Sequence, residues 1–565
     1  MTAKLLLATC CSLVLSVPAA RACGGFFCTT VPMNQVAENI LFIQGEGTVT
    51  THVQIQYSGT AADFAWILPL PAVPELAVSH NQIFTQLQRA TQPSFQLNFQ
   101  WDVGCEFPEI ATAETGEGPY NVEIASEGRV GPYDTAVISS EDAQAVVDWL
   151  VENGYQLGDL GVELLTPYVE EGFYFLALKL APDRDVGDLQ PIAATYAADA
   201  PGIPIRLTAV ATEPDLGILA YILGEHRAVP TNYRHVQINQ AAVDWFSGGS
   251  NYPEVVTQAA NEAGGQAFVT DYAGPSQIAR NFFWWEFDLA LLRQQDHPAD
   301  FLNEALWQGF PPDAQMQTLL RRHIPIPPAV LEEEVLLEVM FVGNRELYEQ
   351  AREDGWLQDF AESSFYNNMR TYDRYLADFT FDANAFVDDL ERIVVEPLES
   401  VRQLLEEKPY LTRLYTTLSA DEMTIDPMFA YNPDLPAVSN VHAADAYWDC
   451  ADPETTPFEE WEFVVSLADG RELRTLPFAF DDSRRVPVGQ PAAAIIEQLS
   501  TSGPPQVIRA LPTAIEATTD PTPASWSLLP NYPNPFNAGT ILPFLAPDSA
   551  PAALHIYNLH GQKVR

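Results

Sequence analysis

The spacing of apolar residues changes near residue 250 of this 565-residue chain, and that change restricts the fold more than any other feature. Before it, apolar and polar residues alternate, as in Val49–Tyr57 and Phe95–Trp101, which is the pattern of half-buried strands. After it, apolar residues recur at helical spacing, most clearly over 382–407. Strands followed by helices favour segregated layers. We predict an α+β protein with a strand-rich first half and a helical second part.

Proline and glycine mark the ends of several predicted elements. Pro253 is suited to the first turn of a helix that Gly264-Gly265 would end. Pro397 lies inside the long helical pattern and should kink or split it, because the proline ring clashes with the preceding turn. Gly470 is expected at a hairpin turn between two strands. His52 falls on the polar face of the first alternating strand, where we expect it to be solvated.

The N-terminus has the features of a secretory signal peptide. Lys4 precedes an apolar run over 5–17, and Ala20-Arg21-Ala22 has the A-x-A form of a cleavage site. Cleavage after Ala22 would leave Cys23 as the first mature residue. The alternative is a lipoprotein with a lipidated Cys23, but its signal usually has Leu and a small residue at the positions of Ala20 and Arg21.

Four cysteines remain after signal removal: Cys23, Cys28, Cys105 and Cys450. An even number in an oxidising compartment favours disulfides, with three connectivities open. Zinc binding is the weaker interpretation, because no C-x-x-C pair or neighbouring histidine completes a site.

Asp183, Asp185 and Asp188 lack the glycine and distal glutamate of a calcium loop, so we expect a plain acidic turn. We therefore predict neither a metal site nor a cofactor.

The formal net charge of −48 excludes two classes of partner. A field of this sign repels both nucleic acid and anionic lipid surfaces. After the signal, no apolar run of about 18 residues remains to form a membrane anchor. We predict an acidic exported protein without a transmembrane segment.

Catalytic sequence motifs are absent: the chain has no G-x-S-x-G, H-E-x-x-H, G-x-G-x-x-G or P-loop pattern. Glu225, His226 and Arg227 follow a predicted strand and could form an acid–base site, although ordinary loop residues are commoner there. The densest polar cluster, and the place where we would look first for a site, consists of Arg413, Asp421, Glu422, Asp426 and His442. Structural ion pairs explain such clusters at least as often.

Several sequence words, found in order over about 22–444, resemble a bacterial exported family known as domain of unknown function 2330. They are the words at 22–28 (ACGGFFC), 64–71 (FAWILPLP), 227–233 (RAVPTNY), 251–253 (NYP), 264–270 (GGQAFVT), 412–419 (TRLYTTLS), 422–423 (EM) and 426–427 (DP). The resemblance implies an exported protein and provides no catalytic residues.

The C-terminal segment resembles a second family. The words at 529–537 (LPNYPNPFN), 540–541 (TI) and 554–565 (LHIYNLHGQKVR) are similar to the sorting domain of type IX secretion cargo. That resemblance implies a small immunoglobulin-like β-sandwich, contact with the secretion machinery, passage across the outer membrane and removal of the domain. The chain stops at Arg565, about halfway through such a domain, so we expect an incomplete, partial sandwich.

These features predict five segments: a signal peptide (1–22), strand-rich (23–250) and helix-rich (251–500) parts of one main domain, a Pro/Thr-rich linker (501–526) and the sorting segment (527–565). We expect the helix-rich part to include a late strand pair. The predicted function is non-catalytic binding or scaffolding at the cell surface or outside the cell, with the periplasm or outer membrane as alternatives. The alternative function is an exported hydrolase that uses carboxylates with or without a divalent metal. A pocket with convergent Asp, Glu and His would favour the enzyme.

Overall fold

The structure of the protein is a computed structural model, which describes residues 34–58, 65–100, 133–153, 155, 161–180, 190–210, 212–283, 285–449, 462–475, 490–511, 527–528 and 544–545. The predicted signal peptide, the four mature cysteines, the acidic turn at 183–188 and most of the sorting segment lie outside these residues.

The strands follow the sequence in this order: β1 (Asn34–Gln44), β2 (Thr48–Ser58), β3 (Ala65–Leu70), β4 (Glu75–Val78), β5 (Ser94–Phe99), β6 (Tyr133–Ile138), β7 (Tyr174–Leu180), β8 (Ile192–Ala197), β9 (Thr212–Gly224), β10 (Arg227–Pro230), β11 (Arg234–Ile238), β12 (Ala267–Pro275), β13 (Tyr410–Leu418), β14 (Phe429–Asn432), β15 (Val441–Asp449), β16 (Glu462–Ser466), β17 (Glu472–Thr475), β18 (Ala493–Gln498), β19 (Gln506–Ala510), β20 (Ser527–Leu528) and β21 (Phe544–Leu545).

The α-helices are α1 (Asn81–Thr91), α2 (Ala143–Glu152), α3 (Gly161–Glu170), α4 (Tyr252–Glu262), α5 (Gln277–Arg280), α6 (Leu289–Leu292), α7 (Pro298–Trp307), α8 (Ala314–His323), α9 (Glu333–Val335), α10 (Arg345–Glu353), α11 (Leu357–Asn367), α12 (Ala383–Leu390) and α13 (Glu396–Glu407). Strands dominate the first half and helices the middle, so the predicted α+β class is confirmed.

A ten-stranded mixed sheet, in the order β19-β18-β11-β12-β13-β9-β1-β2-β8-β4, organises the described residues. The β1–β9 and β11–β12 pairs are parallel, and the other neighbours are antiparallel. Smaller sheets have the orders β17-β16-β15-β5 and β3-β7-β6, and β10 pairs with β14. β13 comes from the helix-rich part of the chain, so both predicted parts contribute to one sheet.

Both faces of the large sheet are covered. Ile40 and Phe42 of β1 pack in a core with the β3–β7 sheet, whereas Leu41 and Ile43 face a second core formed with helices. A strand buried on both sides loses the simple apolar–polar alternation. For this reason the prediction of a solvated His52 was wrong: its side chain is 5% exposed and its Nδ1 lies 2.8 Å from the Ser79 hydroxyl.

The proline and glycine predictions describe the helix ends correctly. Pro253 lies in the first turn of α4, and Gly264 and Gly265 adopt positive φ after it. Pro397 lies in the first turn of α13, which is separated from α12 by a π-helical segment at Glu391–Val395. The wide turn therefore accommodates the missing N–H and the ring of proline without ending the helical path.

The end of the sheet differs from the predicted segment boundary. β19 pairs with β18 as an edge strand, so the first residues of the segment predicted as a linker (501–526) belong to the main domain. The strand pair β20–β21 is the described part of the C-terminal segment. Within the described part of the chain, no helix is both long and apolar enough to cross a bilayer.

Candidate functional site

Four of the five residues of the predicted polar cluster take part in separate interactions, and the fifth, Asp421, is exposed. Arg413 is buried and its Nε donates to Asp271 Oδ2 at 3.0 Å. Glu422 accepts from the backbone N–H of Ser419 beside the exposed Asp421, and so ends the β13 segment in a turn. These interactions stabilise the fold locally and do not converge on one cavity.

The other two residues of that cluster also have local partners. Asp426 accepts from Arg206, with a 2.8 Å ion pair, and from the Tyr168 hydroxyl at 2.8 Å. Burial raises the pKa of Asp426 against the opposing effect of Arg206. His442 stacks on Phe95 with ring centroids 4.8 Å apart. The prediction that the five residues form one site is therefore not supported by their placement.

A different group of polar residues meets in a cavity of about 400 Å³, here named the Arg227 cavity. It is lined by Phe95, Arg227, His235, Val236, Gln237, Ile238, Gln240, Tyr252, Val269, Thr270, Leu435, Pro436, Val438, His442, Glu497 and Pro505. Its volume falls within the usual range of small-molecule sites, and it combines apolar walls with a few convergent polar groups.

Three adjacent strands place a hydroxyl, an imidazole and a carboxylate in line. His235 on β11 lies directly opposite Glu497 on β18, and its Nδ1 is 2.8 Å from Glu497 Oε1. Its Nε2 is 2.9 Å from the Oγ1 of Thr270 on β12. We name these three residues the Thr270 triad. All three are buried, with side chains on one face of the sheet.

A β-bulge adjoins the triad. Thr270 pairs with Leu414 and Tyr272 with Arg413, so Asp271 is an extra residue between them. The buried Asp271 carboxylate then accepts from Arg413 and, at 2.5 Å, from the Tyr252 hydroxyl. Bulges re-aim side chains and occur often beside functional sites. This one allows the adjacent residues Thr270 and Asp271 to join two different polar networks.

Burial and hydrogen bonding together determine the charge states of the triad. Desolvation lowers the pKa of His235 despite its hydrogen bond to Glu497, so the imidazole is neutral near pH 7. Burial alone would raise the pKa of Glu497, but hydrogen bonds from His235 and Gln237 outweigh it and the net pKa is lowered. The triad therefore combines a neutral imidazole with a carboxylate anion.

Arg227 adds a guanidinium to the same cavity. Its Nη2 donates to Thr270 Oγ1 at 3.2 Å and its Nη1 to the Pro436 carbonyl at 3.0 Å. Nε is buried and has no hydrogen-bond partner within the described part of the chain. Burial lowers the pKa of Arg227, while Tyr410 and Glu497 favour its charge through longer-range electrostatics.

Of these four residues, Arg227 was a candidate from the sequence, but it was grouped there with Glu225 and His226, which do not line the cavity. Glu225 and His226 are exposed in the turn between β9 and β10, and Glu225 pairs with Lys408 at 3.1 Å. Arg227 instead points into the protein. Thr270 lies in the family-like word at 264–270, and Arg227 lies in the word at 227–233. These words were the sequence signal that could have identified the two residues. His235 and Glu497 had no comparable signal.

A second cavity, of about 280 Å³, lies between the large sheet and the β3–β7 sheet. Its lining is mostly apolar and includes Phe42, Leu68 and Met428, together with the carboxyl-bearing Asp426. Within the described ranges, no group of three or more His, Cys, Asp or Glu residues is arranged to hold a metal ion.

Comparisons with known proteins show a family resemblance over part of the chain. No curated protein matches the sequence. The crystal structure of baculovirus P35 aligns with 37% of this chain and 75% of its own, at 10% identity and a TM-score of 0.23, which is too low to assign a fold. Residues 17–283, a segment that contains Arg227, His235 and Thr270, match the family described as "Uncharacterized protein conserved in bacteria (DUF2330)", which supports the family predicted from the sequence.

Proposed function

We propose that this protein is exported to the bacterial envelope or cell surface and there binds a small ligand with an anionic oxygen group, such as a carboxylate, in the Arg227 cavity. The observation that supports this most directly is the state of Arg227. Its side chain is buried, it forms no ion pair with any residue that the structure describes, and its Nε lacks an acceptor.

A buried guanidinium without a counter-ion is unfavourable. Removing a charged group from water costs several kcal/mol unless an opposite charge and hydrogen bonds offset it. Two neutral acceptors, Thr270 and Pro436, and the longer-range field of Glu497 offset part of that cost. A carboxylate would provide both the missing acceptor and a directly paired charge, because its geometry matches the guanidinium fork.

The rest of the cavity suits a small organic acid. Gln237, Gln240 and His442 provide neutral polar groups, and Phe95 and Val269 provide apolar surface. Glu497 is the acidic residue of the lining, and it is already hydrogen-bonded to His235. A ligand with one anionic group and an apolar body would therefore complement this lining better than a polyanion would.

Isothermal titration calorimetry would test this function. The probes are benzoate, phenylacetate and succinate, each compared with the corresponding uncharged amide. We expect at least one carboxylate to bind about tenfold more tightly than its amide, a difference of about 1.4 kcal/mol. Equal binding of acids and amides, or no binding by any acid, would refute the proposal.

Two variants identify the cation responsible. Arg227→Gln should abolish the preference for the acid over the amide. Arg234→Gln is the matched control, since Arg234 is exposed, lies outside the cavity lining and donates to the Ala263 carbonyl. Loss of the preference in both variants would contradict a specific role for Arg227.

The sequence features of the two termini support the exported part of the proposal. The segment over 1–22 resembles a signal peptide, and the segment over 527–565 resembles a sorting domain that would contact the secretion machinery. Mass spectrometry of protein exported by a bacterial host would test this. A mass corresponding to cleavage after Ala22 is the expected result, whereas added diacyl mass would indicate lipidation of Cys23. Retention of the intact N-terminus in the cytoplasm would contradict export.

A further inference from the structure

The hydrogen-bond directions within the Thr270 triad follow from the chemistry of its members. An ionised Glu497 can only accept, so the proton shared with His235 belongs to Nδ1. The neutral imidazole then has a lone pair at Nε2, facing Thr270 Oγ1 at 2.9 Å. Arg227 can only donate, so it occupies an oxygen lone pair of Thr270 and leaves the hydroxyl hydrogen directed at Nε2.

This arrangement is that of an activated nucleophile. A hydroxyl donates to an imidazole that is itself oriented by a carboxylate, which are the roles found in catalytic triads on unrelated folds. Thr270 lines a cavity of about 400 Å³, so a small substrate has space beside this residue. The Arg227 Nη2, 3.2 Å from Oγ1, favours transfer of the hydroxyl proton to His235, because a nearby positive charge stabilises an alkoxide.

We propose that Thr270 is an acyl-accepting nucleophile that hydrolyses a small carboxylic ester, with His235 as general base and Glu497 as its orienting group. This inference rests on the proposed function, because the acid released by hydrolysis is the anion that the Arg227 cavity would bind.

Each step of the reaction is balanced. Thr270 Oγ1 attacks the ester carbonyl carbon, forming a C–O bond, and the hydroxyl proton passes to His235 Nε2. Collapse of the tetrahedral oxyanion breaks the bond to the leaving alkoxy oxygen, which takes the proton from Nε2 and departs as an alcohol. Water then attacks the acyl-threonine with His235 again as base, and the acid is released as Thr270 regains its proton. The net reaction consumes one ester and one water.

The same molecule contains a matched comparison. Ser79 and His52 also form a buried hydroxyl–imidazole pair, at 2.8 Å, but neither residue lines the Arg227 cavity. A reagent that acylates any hydroxyl next to histidine would modify both pairs equally. A reagent that needs the complete site should modify only Thr270.

A β-lactone probe, followed by intact-mass and peptide-mass analysis, tests the assignment. Ring opening by the nucleophile leaves a stable ester on the protein. We expect one adduct, located at Thr270, together with hydrolysis of p-nitrophenyl acetate above the buffer rate. Both signals should be lost in Thr270→Val and retained in Thr270→Ser. Glu497→Gln should lower both rates about a hundredfold, in the range of general-base contributions. Ser79→Ala should leave them unchanged.

Two outcomes would overturn the inference: no adduct at Thr270 in the parent protein, or equal labelling of the parent and Thr270→Val. Calorimetry with benzoate separates this result from the binding proposal. Benzoate binding without labelling would make the Thr270 triad structural and leave the binding function in place. Labelling of Thr270 without preference for any carboxylate would confirm the nucleophile and refute the anionic ligand.

Discussion

The histidine at the start of α1 should make the protein sensitive to mild acid. His80 is fully buried and caps the helix, since its Nδ1 accepts from the backbone N–H of Gln82 at 3.0 Å. A protonated imidazole has no lone pair with which to accept, so protonation would remove the cap. Desolvation by burial lowers the pKa of His80 from 6.5 to about 3.

The sign of the effect follows from the order of these two pKa values. Between about 3 and 6.5 the unfolded chain binds a proton that the folded chain does not, so acidification favours unfolding. The stability is fully present above the ordinary value of 6.5 and decreases as the pH falls towards the folded value. A pH of about 5 is about 1.5 units below the pKa of the histidine in the unfolded chain. This difference corresponds to a loss of about 2 kcal/mol in the free energy of unfolding.

The perturbation is His80→Asn, because asparagine is a preferred N-cap residue and does not titrate. Urea unfolding followed by tryptophan fluorescence at pH 7 and at about pH 5 gives the free energy of unfolding of parent and variant. We expect the loss on acidification to be about 2 kcal/mol smaller in the variant. His226→Asn, at an exposed turn, is the control for the substitution and should change stability at pH 7 by less than about 0.5 kcal/mol. An equal acid loss in parent and His80→Asn would refute the assigned role of His80.

Two further predictions concern stability. Arg413→Met should lower the free energy of unfolding by about 3 kcal/mol or more, because it leaves the buried Asp271 carboxylate without its 3.0 Å ion-pair partner; a loss below about 1 kcal/mol in urea unfolding would show that the pair is dispensable. Gly265→Ala should cost about 1 to 3 kcal/mol, because Gly265 has φ of +88° and an added Cβ would clash with the Glu422 side chain. The midpoint of thermal unfolding should fall accordingly, and an unchanged midpoint would contradict the strain argument.

Local sequence patterns correctly predicted the helix ends and the turn that depend on single proline or glycine residues. Pro253 and the pair Gly264-Gly265 marked both ends of α4, because proline fits a first helical turn and glycine readily adopts positive φ. The position of Gly470 in a hairpin turn followed from the same conformational freedom. The exposure of His52 could not be predicted in this way, since it depends on which residues cover its strand.

The predicted polar cluster shows that closeness in sequence does not predict which polar residues interact. Arg413 and Asp426 are thirteen positions apart in the chain, yet Arg413 pairs with Asp271 on β12 and Asp426 pairs with Arg206. The residues that do meet in a cavity are distant in sequence. His235 and Glu497 are separated by 262 positions and become neighbours only because β18 pairs with β11.

Sequence patterns were enough to predict the α+β class, the helix ends at proline and glycine, and a family resemblance that the match over 17–283 supports. Each of these predictions depends on side-chain periodicity, on the conformational freedom of the backbone or on a short sequence motif. All three are properties of short segments. Contacts between distant segments bury both faces of β1 and β2, and they bring Arg227, His235, Thr270 and Glu497 to one cavity. Strand order and register are set by contacts between distant segments, and no local pattern encodes which strand will be the neighbour.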